Sequence, residues 1–343
     1  MRLVIASYLE PHHVERIRAV SSRIEVIHEP ALVASPRYAA DHNGAPFERS
    51  AADEETWLSY LASAQVLFDF DRTHFEDLPE CAPGVRWIQA TSSGIGQFVH
   101  RLGYAERMPD TVFTTASGVH AIPLAEFSVM AILAFRKQLL RTLHDQAEHH
   151  WERYAATDLE GRSLVIVGVG SVGTAVAKVA RAFGMRTVGV KRNVAAIDPG
   201  ELHLDALFGF EDLHAALAGA EHLVLAAPHT SETEGLIGEK ELGLLAPDAV
   251  VVNVGRGALL DEAALIDALR AGRLAGAALD VFEEEPLPTA SPLWDMPNVI
   301  VSPHSASTSD RENGRITDLF CDNLRLYMAG KPLLNVLDTA AAY

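Results

Sequence analysis

Along the first hundred residues short apolar runs alternate with polar stretches. Leu3 to Ala6, Arg23 to Ile27, Val66 to Phe70 and Val85 to Gln89 read as strands joined by helical connections, which predicts a small α/β domain. Between them Ala34 to Asp53, rich in Pro, Gly, Ser and charge, predicts a surface excursion. From Pro123 to Leu143 the pattern is helical and apolar nearly all round as far as Phe135, as in a helix buried between domains or subunits. A regular series follows, with strands expected at Leu164 to Val167, Thr187 to Val190, His222 to Ala226, Val250 to Val254, Gly276 to Val281 and Val299 to Ser302. These runs of Val, Leu and Ala do not alternate with polar residues, so both faces of each strand must be covered, as in a parallel sheet flanked by helices. A last helical pattern covers Arg311 to Met328, and no repeat of fixed period occurs.

Length and composition narrow the picture. A chain of 343 residues exceeds the usual size of one core, so two domains are expected. No apolar run approaches the roughly 18 residues needed to cross a bilayer, and no membrane association is expected. Met1 to Ala6 enter a strand-like run directly, without the basic start and longer apolar core of a secretory signal. Cys81 and Cys321 are far apart and show no zinc or paired-thiol spacing, so neither a metal nor a disulfide is expected and the cytosol is the expected compartment. A net charge of −18 repels phosphate backbones, which argues against a nucleic-acid partner. It would also repel an anionic substrate, so a site for one must gather arginines or helix N-termini locally.

Directly after the strand ending at Val167 stands Gly168-Val169-Gly170-Ser171-Val172-Gly173, and Val176, Val179, Ala180 and Phe183 then recur at helical spacing before Gly184. A strand, this glycine pattern and an amphipathic helix together make the phosphate-binding turn of a dinucleotide fold. At the end of the next strand, where a carboxylate would bond the adenosine ribose, the chain reads Val190-Lys191-Arg192-Asn193. Two cations there suit a 2′-phosphate, so NADP(H) is favoured over NAD(H); the alternative is a solvated basic turn with no bearing on the cofactor.

Ligands of open parallel sheets bind beyond the carboxyl ends of the strands, where three unusual sequences occur. They are Gly255-Arg256-Gly257, Phe282-Glu283-Glu284-Glu285-Pro286 and Pro303-His304-Ser305. Singly, each could be an ordinary surface or loop residue. Together they supply what reduction of a 2-keto acid needs: His304 to exchange a proton, a carboxylate to raise its pKa, and Arg256 to grip and polarise the substrate while a hydride arrives from a nicotinamide.

With these segments the chain resembles the D-isomer-specific 2-hydroxyacid dehydrogenases over nearly its full length, also through Leu236 to Glu262 with Asn253-Val254-Gly255-Arg256-Gly257, and Ala278-Leu279-Asp280-Val281-Phe282. The resemblance implies an NAD(P)-dependent oxidoreductase acting on the 2-keto or 2-hydroxy carbon of a small carboxylic acid, with catalytic Arg256, His304 and Glu285. It implies two doubly wound parallel-sheet α/β domains, a Rossmann dinucleotide-binding domain (118–308) inserted into a smaller flavodoxin-like substrate domain (1–117 and 309–343), with a cleft that closes on substrate and a final helix that returns to the first domain. Candidate cofactor contacts are Gly168, Gly170, Ser171, Val172, Gly173, Lys191, Arg192, Pro228, Val254 and Asp280, the last beside the nicotinamide carboxamide. Ser93, Gly94 and Ile95 would hold the substrate carboxylate through backbone amides, though a structural turn fits them equally. A two-fold homodimer built on Pro123 to Leu143 and the region of Trp151 is also implied. Two features depart from the family: Lys191-Arg192 in place of its common acid, which points to glyoxylate and hydroxypyruvate reductases, and Phe127 where a histidine often follows Glu126. The rival readings are a dinucleotide-sensing corepressor, which an intact Arg256, Glu285 and His304 set opposes, and a formate or phosphite dehydrogenase; relatives acting on formate carry an amide where Glu285 stands.

Overall fold

In the computed structural model, which describes residues 1–339, Leu164 to Val167 and Ala249 to Asn253 are buried along their whole length. Only a sheet covered on both faces does this to consecutive residues, and Val251 feeds one apolar cluster while Val250 and Val252 feed the other. The strands are β1 (Arg2–Ile5), β2 (Glu25–Ile27), β3 (Val66–Phe68), β4 (Trp87–Gln89), β5 (Val112–Thr114), β6 (Ser163–Val167), β7 (Arg186–Val190), β8 (Ala206–Phe208), β9 (His222–Leu225), β10 (Ala249–Asn253), β11 (Leu274–Leu279) and β12 (Val299–Val301). They form two parallel sheets, ordered β2-β1-β3-β4-β5 and β12-β11-β10-β9-β6-β7-β8. The first is the flavodoxin-like order and the second the Rossmann order extended by one strand; in the latter the direction of winding reverses between β6 and β9, the place where doubly wound sheets bind ligands. The fold is therefore α/β with a Rossmann unit inserted into a smaller flavodoxin-like one.

The chain divides into two compact units, Ala121–Ser307 on the one hand and Met1–His120 with Thr308 and the residues after it on the other. In the latter unit the helix Glu312–Met328 sends Phe320 into the core, where its ring stacks on Trp87 at 5.0 Å and meets Phe68 edge-on at 5.1 Å. Truncating Phe320 to alanine would cost about 3–5 kcal/mol by the usual scale for a fully buried aromatic ring.

Two further short strands, β5 and β8, lie outside the runs that the sequence pattern marks as strands. The helix expected from Pro123 to Leu143 is two helices, Ala121–Arg136 and Leu139–Ala147, separated where Gln138 takes a left-handed φ of 55°. The first helix ends at Arg136, which is buried and donates to His222 Nε2 (2.8 Å), to Asp248 Oδ2 (2.7 Å) and to the Glu221 carbonyl (3.0 Å). The Ala34–Asp53 stretch is irregular up to the helix Ala51–Ser63, but it is not merely superficial. Its Arg49, with only 2% of the side chain exposed, lies against Trp57 and reaches the Leu32 carbonyl, Glu54, Asp71 and Thr73.

Candidate active site

The turn after β6 is dictated by sterics. Gly168 has φ +94° and a Cβ there would stand 2.4 Å from the Ala227 amide nitrogen; a Cβ on Gly173 would meet the Gly168 carbonyl oxygen at 2.3 Å. Gly170 faces open space, with no atom within 4 Å of its would-be Cβ. Ser171 and Val172 then open the helix Ser171–Ala182, whose N-terminus has no side-chain cap. Tight packing on both sides of an open, uncapped helix start is what a pyrophosphate requires, so the residues fit a dinucleotide. Pro228 and Val254 follow β9 and β10 on the same edge of the sheet.

After β7 the Lys191 amide continues the ladder to the Phe208 carbonyl, and no carboxylate stands at 191–193. Arg192 turns toward the loop after β9, its Nε 2.6 Å from Glu232 and its Nη2 3.3 Å from Thr230 Oγ1.

Beyond β10, β11 and β12 the structure brings Arg256, Glu285, Asp280 and His304 into one neighbourhood. Asn253, 1% exposed, shapes the first turn: its Oδ1 accepts from the Gly255 amide and its Nδ2 donates to the Arg256 carbonyl. Gly257 packs so closely that a Cβ would lie 1.8 Å from the Phe282 carbonyl oxygen, which fastens the Arg256 turn to the segment carrying Glu285. Arg256 donates through Nη1 to the Gly255 carbonyl at 2.7 Å; burial lowers its pKa, opposed by Glu285, and as a guanidinium it stays charged.

Glu285 accepts the Phe282 amide on Oε1 (3.1 Å) and the His304 Nδ1–H on Oε2 (2.7 Å). That bond fixes the tautomer and, among the described residues, leaves Nε2 of His304 without a protein partner. The bond to Glu285 raises the pKa of His304 above the ordinary imidazole value, with burial opposing and the charges of Glu285 and Asp280 assisting. Burial pushes Glu285 up, but the His304 bond outweighs it and the carboxyl lies below its usual range.

His304 itself sits at φ 53°, a left-handed conformation uncommon outside glycine. Asp280 holds it there. Its Oδ1 accepts from Ser302 Oγ (2.6 Å), the Ser305 amide (2.8 Å) and the Ala306 amide (2.9 Å), bracketing the histidine on both sides. Asp280 is 1% exposed and burial raises its pKa. Sequence reasoning did not single out Asn253 or Ser302 for these supporting roles, although both stand inside the motifs that flagged the site.

In the other unit, Ser93, Gly94 and Ile95 follow β4 and lead into the short helix Gly96–Arg101. The Gly94 amide donates to Ser92 Oγ at 3.2 Å, so it is already engaged, whereas among the described residues the Ser93 and Ile95 amides have no protein acceptor. His74, Asp77 and Cys81 of this unit have potential metal-ligand atoms within 4.8 Å of one another. Both imidazole nitrogens are, however, already bonded to carboxylates, Nε2 to Glu54 at 2.6 Å and Nδ1 to Asp77 at 3.1 Å, which makes the group a tie between the segment after β3 and the helix Ala51–Ser63.

Residues 129–306 match the family model of the NAD binding domain of D-isomer specific 2-hydroxyacid dehydrogenases. The chain belongs to that family. It is similar to a glyoxylate reductase of Aeropyrum pernix, 33% identical over 294 residues that make up 83% of this chain and 86% of the other. A solved D-isomer specific 2-hydroxyacid dehydrogenase family protein from Aeromonas salmonicida superposes with a TM-score of 0.80 at 26% identity, covering 98% of this chain and 99% of that one. A D-isomer specific 2-hydroxyacid dehydrogenase from Xanthobacter autotrophicus, solved in complex with NADPH and MES, gives 0.78 at 28% identity and covers 100% and 99%. This member of the family is thus an NAD(P)-dependent oxidoreductase acting on CH–OH donors. Among the described residues no helix is long and apolar enough to cross a membrane.

Proposed function

We propose that this dehydrogenase works as an NADP(H)-linked reductase of small 2-keto acids, with glyoxylate and hydroxypyruvate as the simplest substrates. The observation that carries the reading is the 2.7 Å bond from His304 Nδ1 to Glu285, which favours the imidazolium and raises its pKa while Nε2 has no protein partner among the described residues. A dinucleotide held at the Gly168–Gly173 turn would supply the hydride for the carbonyl carbon. His304 Nε2 donates its proton to the carbonyl oxygen as charge grows there, and Glu285 stabilises the imidazolium beforehand. Arg256 presents a guanidinium to the carbonyl and carboxylate oxygens, in surroundings that screen it little. Asp280 keeps the His304 turn in register, and the free amides of Ser93 and Ile95 are assigned to the substrate carboxylate. In the oxidative direction the same imidazole, neutral, takes the hydroxyl proton.

Lys191 and Arg192, with no carboxylate at 191–193 although Glu232 meets Arg192 from the loop after β9, support the 2′-phosphorylated cofactor, as does the NADPH in the Xanthobacter relative. Assembly as a homodimer belongs to the same reading, supported by Ile122, Met130, Leu143 and Trp151, which are exposed at 52%, 48%, 54% and 93%. A panel of 2-keto acids offered with NADPH and with NADH tests the activity. Consumption of NADPH above background with glyoxylate or hydroxypyruvate is expected; no consumption with any keto acid and either cofactor would discard the reading.

A further inference from the structure

Beside the Ser93–Ile95 loop, and within the same unit, lies a cavity of about 410 Å³. Its apolar wall is formed by Phe70, Phe75 and Phe98, with ring centroids 4.8 Å apart for Phe70 and Phe98 and 5.5 Å for Phe75 and Phe98. Arg72 and Arg101 also line it. In a chain of net charge −18 a guanidinium readily finds a carboxylate, and Arg37, Arg49 and Arg107 of this unit are each ion-paired. Arg72 and Arg101 are not: among the described residues no carboxylate lies within pairing distance of either, and Arg72 instead rests over the Phe75 ring at 5.6 Å. The two acids of the lining differ in standing. Asp69 is 2% exposed and accepts the Thr91 hydroxyl at 3.0 Å, whereas Glu76 is exposed and makes no bond.

The segment that carries Arg72 and Phe75 is pinned from two sides, by Arg49 on Asp71 and Thr73 and by Glu54 on His74. The long stretch before the helix Ala51–Ser63 also brings His42 to Ser7, with Nδ1 3.3 Å from the hydroxyl. Its Nε2 is buried without a partner, and Asp69 and Arg72 are among the charges it senses. An aromatic wall with two guanidiniums free of ion pairs in its lining is the complement of a ligand that is apolar along its length and anionic at its far end.

We infer that this cavity is the side-chain subsite of the reductase and that it selects 2-keto acids bearing a second anionic group, a carboxylate or a phosphate, at the distal end. The inference rests on the 2-keto acid reading above. It is tested on the full-length protein by comparing kcat/KM for 2-ketoglutarate with that for the uncharged analogue 2-ketohexanoate, and for phosphohydroxypyruvate with that for hydroxypyruvate; the two pairs separate a carboxylate from a phosphate preference. In at least one pair the dianion is favoured by about tenfold or more, as a charge-assisted pair with a guanidinium allows. R72L and R101L each lower that ratio by about tenfold, and E76Q raises it. Far-ultraviolet dichroism and NADPH binding of each variant report whether the fold is kept; should R72L and R101L not fold, the E76Q shift and the wild-type ratios carry the test. Reduction of the neutral analogues as well as or better than the dianions overturns the subsite and leaves the reductase reading intact. Absence of turnover with any keto acid overturns both.

Discussion

The two edges of the seven-stranded sheet carry nearly the same side chains and use them oppositely. At the amino edge Arg136, Glu221 and His222 meet around the starts of β6 and β9; at the carboxyl edge Arg256, Glu285 and His304 meet beyond β10, β11 and β12. His222 is fully buried and both ring nitrogens are used, Nδ1–H donating to the Ser163 carbonyl at 2.8 Å and Nε2 accepting from Arg136. Burial and the neighbouring Arg136 charge push its pKa down to about 4. His304 has one nitrogen on a carboxylate, the other free, and a raised pKa. What separates a structural histidine from a chemical one is therefore hydrogen-bonding capacity left open toward solvent, together with a carboxylate in place of an arginine on the bonded side.

The sharpest way to break this contrast is H304N. It should lower kcat/KM for keto-acid reduction by about 10²–10⁴-fold, the usual worth of a positioned general acid, while the thermal midpoint stays close to that of the parent. A comparable loss of both would show that His304 is structural. The mirror experiment, H222L, leaves Arg136 Nε and the Ser163 carbonyl unpaired in the interior; chemical denaturation should register a loss of about 2–3 kcal/mol with kcat of the folded fraction retained.

The pH dependence sharpens the same point because the two histidines have opposite signs. His222 has its folded pKa depressed, so the unfolded chain binds the extra proton, and its contribution is complete above pH 6.5 and erodes as the pH falls toward about 4. Over that window it amounts to about 3 kcal/mol. His304 has a raised folded pKa, so its contribution is complete below the unfolded value of 6.5 and is lost as the pH rises through the folded one. Urea midpoints of wild type and H222L measured from pH 7 to pH 4 should therefore converge as the pH falls. The smallest effect concerns the cofactor: K191A/R192A should weaken NADPH about tenfold and NADH little, and equal losses would remove the 2′-phosphate assignment.

Much of the carboxyl edge was legible in the chain because its parts are local. A strand, Gly168 to Gly173 and an amphipathic helix are contiguous, and Arg256, Glu285 and His304 each follow directly on a strand whose apolar run announces it. What could not be read is set by distant partners. The low pKa of His222 comes from burial in the folded sheet and then from Arg136, 86 residues away, neither of which its neighbours in sequence reveal. The same holds for Glu232, which meets Arg192 across two loops, and for Arg72 and Arg101, which line one cavity without an ion pair among the described residues. Gln138 shows a different limit: helical periodicity continues through it, yet its backbone is left-handed and the helix breaks there.

The central claim is that Glu285 sustains the protonated His304 that drives reduction. It is tested most directly by the pH profile of kcat/KM for keto-acid reduction in wild type and E285Q. The wild-type rate should fall with rising pH along a limb above pH 6.5, and E285Q should carry that limb to lower pH along with a reduced plateau, because the neutral amide no longer favours the imidazolium. A limb at the same pH in both proteins would contradict the account.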